Sequence, residues 1–483
     1  MERRLVSFEG WRVRTPRVLV AAVMVVFLAG CTAAQTTPGA GAPASTGSSP
    51  SMSAAPSGSP AASPTPVVTN TPAPTYTPAS SPTATPPLPT GPLPVVGAAP
   101  TGTWTGINWI ALPAGHAPAA PLGAYNYVNL FGWSGGFVDL VWNDKNRTIG
   151  PWVSADGLTW RAGSNLPLGN LLAGVGQADA WAKAGGMGSH DACDFNADGF
   201  AAVASSLLVK GYIICDMGCG SWFSAEATWT STDGSAWRSV DLKFAQHGAG
   251  EIAGGPNGFI ATSPTTKTET IWTSADGITW HQAALPSGVV TGAAKIGQPA
   301  AISGGYVVAG VVSNLGPSGC MGQGSELQTA AVWWSATGSI WTRETLPGTT
   351  PGYLVDMQVD RIGDHALLAR QGSYARADTN VAKTAAWTST DGRNWKLLAG
   401  PSPAGFTVLS AGSHCVLVNP MTYGLAPGTH PAILGFDTNL NLTTLKQSGD
   451  IPWIDWGTAA LGPTGLLKTA DGIRFWLGVP TAA

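Results

Sequence analysis

The stretch Trp272-Thr273-Ser274-Ala275-Asp276-Gly277-Ile278-Thr279-Trp280-His281 decides the fold, because the chain repeats it. Its core, S-x-D-G-x-x-W, recurs from Ser154 to Trp160, from Ser231 to Trp237 and from Ser389 to Trp395. A weaker copy runs from Ser335 to Trp341 with Thr337 in place of the Asp, and another from Thr469 to Phe475. A second Trp stands two residues before the Ser, at Trp152, Trp229, Trp272, Trp333 and Trp387. The pattern reads as a hairpin: Ser closes one strand, Asp accepts backbone N–H groups in the turn, Gly takes a positive φ, and the last Trp opens the next strand. The flanking Trp residues should pack between neighbouring sheets. The slot after the last Trp holds Arg161, Arg238, His281, Thr342 or Lys396, so it carries no constant chemistry.

Upstream of most copies lies a second hairpin, as at Ser134-Gly135-Gly136, Pro256-Asn257-Gly258 and Ser303-Gly304-Gly305. Two hairpins make a four-stranded sheet, and aromatic-marked repeats at roughly this spacing are propeller blades. Blades are expected near 125–166, 190–241, 250–285, 297–346 and 354–398. A sixth, near 406–446, has Ile433 to Leu440 where the repeat should be. Gly457 to Val479 supply only three strands of a last blade, and Thr103 to Pro113 reads as the missing one. The expected fold is therefore all-β: a β-propeller of four-stranded antiparallel blades, seven with six as the alternative. The N-terminal strand closes it at a position in the last blade that the sequence leaves open.

The S-x-D-G-x-x-W boxes resemble the Asp-box, or BNR repeat, of the sialidase-like superfamily, and they cover nearly all of residues 101–480. The resemblance implies fold; in that family the boxes are turns away from the catalytic centre. A sialidase would also bring three substrate-binding arginines, a Tyr–Glu nucleophile pair, an Asp acid and an aromatic-Arg-Ile-Pro motif. The corresponding early strand here, Ile107-Asn108-Trp109-Ile110-Ala111, has no arginine. Arg161, Arg238 and Arg343 fall on outer strands; Arg147, Arg370 and Arg376 could be central, with no motif behind them. A glycoside hydrolase of another kind needs two facing carboxylates, and the scattered acids nominate no pair.

The N-terminus reads as an address. Basic residues from Arg3 to Arg17 precede an apolar run, Val18 to Leu28, too short for a spanning helix of about twenty residues. Leu28-Ala29-Gly30-Cys31 resembles the lipobox of bacterial lipoproteins, which implies cleavage before Cys31 and lipidation of its thiol. Residues 1–30 are then a signal peptide. Residues 31–100 are the lipid anchor and a Pro/Ser/Thr/Ala-rich tether too poor in apolar side chains to fold, and 101–483 form the propeller. The expected location is extracytoplasmic, anchored to the bacterial cell membrane by the lipid alone. Only 11% of residues are charged and the net charge is −3, which excludes a basic footprint for nucleic acid.

The remaining candidates lie outside the repeat. Cys193, Cys215, Cys219 and Cys320 should form one or two disulfides of open connectivity, while Cys415 in an apolar run reads as a buried thiol. Asp194-Phe195-Asn196-Ala197-Asp198-Gly199 matches D-x-[DN]-x-D-G, a loop whose side-chain oxygens hold calcium (Ca2+). Ala202 and Ser205 sit where further ligands belong, and the stretch aligns equally with an ordinary polar turn. Trp222, Trp453 and Trp456, with Asp455 beside them, are non-repeating aromatics suited to a glycan or protein ligand. The composite expectation is a monomeric, lipid-anchored binding or scaffolding module for a glycan or a protein, without catalysis. A divergent glycoside hydrolase is the alternative.

Overall fold

The computed structural model describes residues 91–113, 115, 129–169, 171, 176, 193–216, 222–240, 242, 251–264, 269–284, 296–313, 328–349, 355–363, 366–373, 385–398, 406–411, 414–418, 432–452, 458–469 and 474–482. These residues hold twenty-nine strands. Strand β1 is Trp104–Ala111. Blade one contains β2 (Leu130–Trp133), β3 (Gly136–Asn143), β4 (Thr148–Ser154) and β5 (Arg161–Ala162). Blade two contains β6 (Cys193–Val203), β7 (Ser206–Asp216), β8 (Trp222–Ser231) and β9 (Arg238–Val240). Blade three contains β10 (Ile252–Gly255), β11 (Gly258–Pro264), β12 (Glu269–Ser274) and β13 (His281–Ala283). Blade four contains β14 (Ile296–Ile302), β15 (Gly305–Ser313), β16 (Gln328–Ser335) and β17 (Thr342–Glu344). Blade five contains β18 (Val355–Ile362), β19 (Ala366–Ser373), β20 (Ala385–Ser389) and β21 (Lys396–Leu397). Blade six contains β22 (Thr407–Ala411), β23 (His414–Val418), β24 (Ile433–Phe436) and β25 (Leu442–Thr444). After β26 (Lys446–Gly449), blade seven is built from β27 (Thr458–Gly462), β28 (Gly465–Thr469) and β29 (Phe475–Ala482).

Each blade pairs antiparallel in chain order, and a single parallel pair, Gln298 with Gln358, links blades four and five. The ring has seven blades, which discards the six-blade alternative. Blade seven runs β27-β28-β29-β1, so the N-terminal strand is its fourth, outer strand, the position the sequence left open. It is not left as an edge. The segment β26 pairs parallel along its other side, Gly106 with Lys446 through Trp109 with Gly449. Trp109 Nε1 donates to Gln447 Oε1, and the Ala111 amide donates to Asp450 Oδ2. The closing strand is thus hydrogen-bonded on both sides, which removes the exposed ladder that invites aggregation.

The box residues do what their chemistry dictates. In the Trp272–His281 stretch, Ser274 Oγ accepts from the Gly277 amide and donates to Asp276 Oδ1, which accepts from the amides of Ile278 and Thr279 at 2.8 Å. Trp280 Nε1 donates to the Gly277 carbonyl. The same set recurs around Asp156, Asp233 and Asp391. The box glycines take φ between 72° and 80°, a region that residues with a Cβ enter only at a cost. Blade six keeps the principle without the motif: Asp437 Oδ1 accepts the amides of Asn439 and Asn441, and Leu440 takes the positive φ of 61°. The copy at Thr469 is different in kind. It joins the second strand of its blade to the third, whereas every other box joins the third to the fourth, so it is not an equivalent repeat. In blade seven the equivalent junction is replaced by the pairing of the start of β1 with the end of β29, Trp104 against Ala482.

The core lies between blades. Trp229, Trp333 and Trp387 are fully buried, and each packs in a cluster shared with the preceding blade. At 150–250 Å² apiece and ~25 cal/mol per Å², each contributes about 4–6 kcal/mol before entropy is subtracted. Trp133 and Trp142, outside the repeat, serve the same packing: Trp133 tilts against Phe200, and Trp142 Nε1 donates to the Cys193 carbonyl. Near the axis the backbones approach too closely for side chains. A Cβ on Gly254 would strike the Ala202 carbonyl, and one on Gly255 the Ala301 carbonyl.

Packing starts before residue 101, earlier than composition suggests. Leu93 and Val96 pack on the cluster between blades seven and one, and the Ala99 amide donates to the Pro463 carbonyl. Cys193 and Cys215 form a disulfide; Cys219 and Cys320 lie outside the described residues. Cys415 is a free, buried thiol whose pKa burial pushes up. The stretch Asp194–Gly199 is not a hairpin turn but part of β6, with a bulge between Ala197 and Gly199. Asp194 and Asn196, two residues apart, share one face of this strand, and Asp198 at the bulge meets Lys210. Among the described residues no helix is long and apolar enough to cross a membrane.

Candidate functional site

The strand directions divide the ring into two unlike faces. In an antiparallel blade the first and third connections emerge on one face, and the second connection and the crossover to the next blade emerge on the other. The first face holds the boxes and tight hairpins such as Ser134-Gly135, Ala204-Ser205 and Pro256-Asn257. The strand ends on the second face are joined by longer, non-repeating segments, among them 163–192, 314–327, 374–384 and 419–432. Loops are where binding residues concentrate, because they vary while the scaffold stays fixed.

On that second face blade two stands out. Strands β6 and β7 have 11 residues each and β8 has 10, against 4, 7 and 6 in the corresponding strands of blade three. The disulfide ties Cys193, at the start of β6, to its register partner Cys215 near the end of β7. One side of the extension is sealed: Phe195, Ile213 and both half-cystines are buried against blade one with Trp142 and Trp229. The other side is polar. The pairing puts Asn196, Tyr212 and Glu226 in one row across three strands. Asn196 Nδ2 donates to the Tyr212 hydroxyl at 2.8 Å. Asp194 is buried, and its Oδ1 accepts from the Phe195 amide. Lys210, also buried, sits 3.4 Å from Asp198 Oδ1, an ion pair without hydrogen-bond geometry.

The residues singled out from sequence distribute as follows. Trp222 opens β8, paired with Asp216, which places its backbone on the loop face at the tip of blade two. Cys31, Trp453, Asp455 and Trp456 lie outside the described residues. Asp194, Asn196 and Asp198 share a strand, and their observed partners are an amide, a tyrosine and a lysine, as given above. Arg370 is not a substrate clamp. It spends its guanidinium on Asp360 Oδ2 at 2.7 and 3.0 Å and on Gln358 Oε1, both within blade five, and on the Phe406 carbonyl, which ties blade five to the start of blade six. Arg376 lies outside the described residues.

One titratable group went unnoticed in the sequence. Asp139 on β3 is buried, and burial raises its pKa to about 7. It pairs with Trp152; the residues pairing with the corresponding Trp in blades two to five are Val209, Ala261, Val308 and Ala369. Aligning the repeats through these Trp positions would have exposed the anomaly. The box carboxylates behave oppositely: backbone hydrogen bonds hold Asp276 and Asp391 down to about 2 despite partial desolvation.

No protein-family model matches the chain, and no curated protein matches it. Solved structures show distant likeness. The β-propeller domain of the Trilobed protease from Pyrococcus furiosus is 8% identical over 56% of this chain and 76% of that one, with a TM-score of 0.32. The parainfluenza virus 5 hemagglutinin-neuraminidase ectodomain is 10% identical over 59% and 82%, with a TM-score of 0.31. Penicillium chrysogenum α-L-arabinanase, solved with arabinobiose, is 8% identical over 80% and 99%, with a TM-score of 0.29. At such identities and scores these likenesses assign neither activity nor ligand. The chain itself folds as a seven-bladed, all-β propeller.

Proposed function

We propose that the chain is a lipid-anchored binding module at the bacterial cell surface, carried on a Pro/Ser/Thr/Ala-rich tether from Cys31, with its loop face taking up a glycan or protein ligand. One observation carries the reading: tight turns occupy one face, while the other bears the non-repeating segments and a disulfide-stapled extension of blade two. The boxes, as in the Asp-box repeat they resemble, then fix the ring and leave ligand contact to Trp222 and, in the reading from sequence, to Trp453, Asp455 and Trp456. Palmitate labelling of the expressed chain tests the anchor; label that persists in Cys31→Ala would sink it. A glycan array and a cell-surface pull-down with the exported chain test the ligand. Release of reducing sugar from any retained polysaccharide would transfer the reading to the rival, a glycoside hydrolase.

A further inference from the structure

The box of blade four departs from its repeat, and further departures gather at the seam it shares with blade five. Its Asp is Thr337, and its Trp341 Nε1 is buried without a hydrogen-bond partner, whereas the Trp of the four full boxes donates to the box glycine carbonyl. The residue before the box Ser is Val153, Thr230, Thr273 or Thr388 in the other blades and Trp334 in this one. Three residues past the box Trp stand Gly163, Val240, Ala283 or Leu398, but Glu344 here. Val240 and Ala283 are buried between blades; Glu344 pairs with Val332, which faces blade five. Across that seam the box of blade five supplies Arg393, where the others have Leu158, Ser235, Ile278 or Ser339. The segments carrying these residues, 328–349 and 385–398, are described throughout.

Arg393 lays its guanidinium over the Trp334 ring, 4.9 Å from the centroid. Among the described residues no hydrogen bond or ion pair takes up its side-chain N–H groups. Glu344 Oε1 is buried and also without a hydrogen-bond partner; burial raises the pKa of this carboxyl, and the Arg393 charge opposes the rise. A guanidinium only donates and a carboxylate only accepts, so the two together suit a group that does both. Apolar anchors flank them. Ile340, at the tip of the same hairpin as Trp334, is 81% exposed. Leu397 is 45% exposed and pairs with Trp387, which faces this seam. These are two of the four large apolar side chains exposed among the described residues. A sugar ring stacks on an open aromatic face, and Arg393 covers the face of Trp334. Aliphatic anchors beside an aromatic-backed arginine suit a polypeptide instead: its backbone brings an N–H for Glu344 and a carbonyl for Arg393, and its side chains meet Ile340 and Leu397.

We propose that the rim between blades four and five, built from Trp334, Ile340, Glu344, Arg393 and Leu397, is a docking surface for an extended, apolar peptide segment of a protein partner. It is a second surface, separate from the loop face, and stands or falls independently of the ligand proposed for that face. Selection of a phage-displayed random peptide library on the exported chain, with Arg393→Ala as the counter-target, tests it. Synthetic copies of the enriched peptides are rich in aliphatic and aromatic residues and bind the wild-type chain. They lose at least about tenfold in affinity for Ile340→Ser, a variant never used in the selection, and several-fold for Glu344→Gln. Ile340 and Arg393 are exposed, so both variants keep the wild-type unfolding midpoint. A selection that yields no peptide after counter-selection, or peptides indifferent to Ile340→Ser, overturns the surface. So do two other results: a glycan-array signal that Arg393→Ala abolishes, which gives the rim to a sugar, and a dimer in sedimentation velocity that Ile340→Ser dissociates, which gives it to a second copy of the chain.

Discussion

Asp139 makes the stability of the ring depend on pH in a way one substitution removes. Its carboxyl has a folded-state pKa of about 7 against an ordinary 3.8, because burial between blades one and seven disfavours the charged form. Between those values the folded chain binds a proton that the unfolded chain has released. Stability must therefore fall as pH rises from about 4 to about 7, and stay level on either side. A shift of roughly three units at ~1.36 kcal/mol each makes the full loss about 4 kcal/mol. Asp139→Asn has nearly the same shape and no charge to desolvate. It should match the wild type at pH 4 and exceed it by about 4 kcal/mol at pH 8. For a folded part of this size, at ~2.1 cal/mol/K per residue, that is a midpoint rise of about 5 °C. Differential scanning fluorimetry at pH 4, 5, 6, 7 and 8 provides the readout, with Asp139→Val, the blade-two residue at that position, as a second variant. Other titrations cancel in the difference between variant and parent. A difference that does not change with pH, or a less stable Asn variant at pH 8, would refute the argument.

The box carboxylates give the opposite slope: Asp276 and Asp391 are held near pH 2, so their contribution is present above about 4 and disappears as pH falls towards 2. Because both are solvent-facing, Asp276→Asn should cost under ~1 kcal/mol at pH 7 and flatten the acid limb of the melting curve measurably. Trp387→Ala empties a fully buried site between blades four and five and should cost ~3–5 kcal/mol, seen as a midpoint drop without loss of the β-sheet circular dichroism signal of the surviving fold. Gly255→Ala places a methyl group against the Ala301 carbonyl backbone, which cannot yield, and should abolish soluble expression or lower the midpoint by more than Trp387→Ala does. Cys415 should resist maleimide in the folded chain and react fully in guanidinium, as peptide mapping would show; modification under native conditions would contradict its burial.

Local chemistry determined much of this protein by itself. Ser, Asp, Gly and Trp at fixed spacing specify a turn through hydrogen bonds that span only a few residues, so each box could be read without knowing the ring. Repetition then fixed the blades, and the unpaired N-terminal strand fixed the closure. What failed was whatever depended on residues far apart in the chain. Asp194–Gly199 aligns with the ordinary hairpin turn of other blades, yet pairing with β7 makes it a strand, because ladder hydrogen bonds and the buried Phe195 outweigh the turn preference of Asp, Asn and Gly. Thr469–Phe475 carries the spelling of the box at the wrong junction of its blade, which only the order of the strands reveals. Arg370 is claimed by Asp360 and Phe406, partners that only folding brings within reach. Tyr212 comes beside Asn196 and Glu226 by register alone.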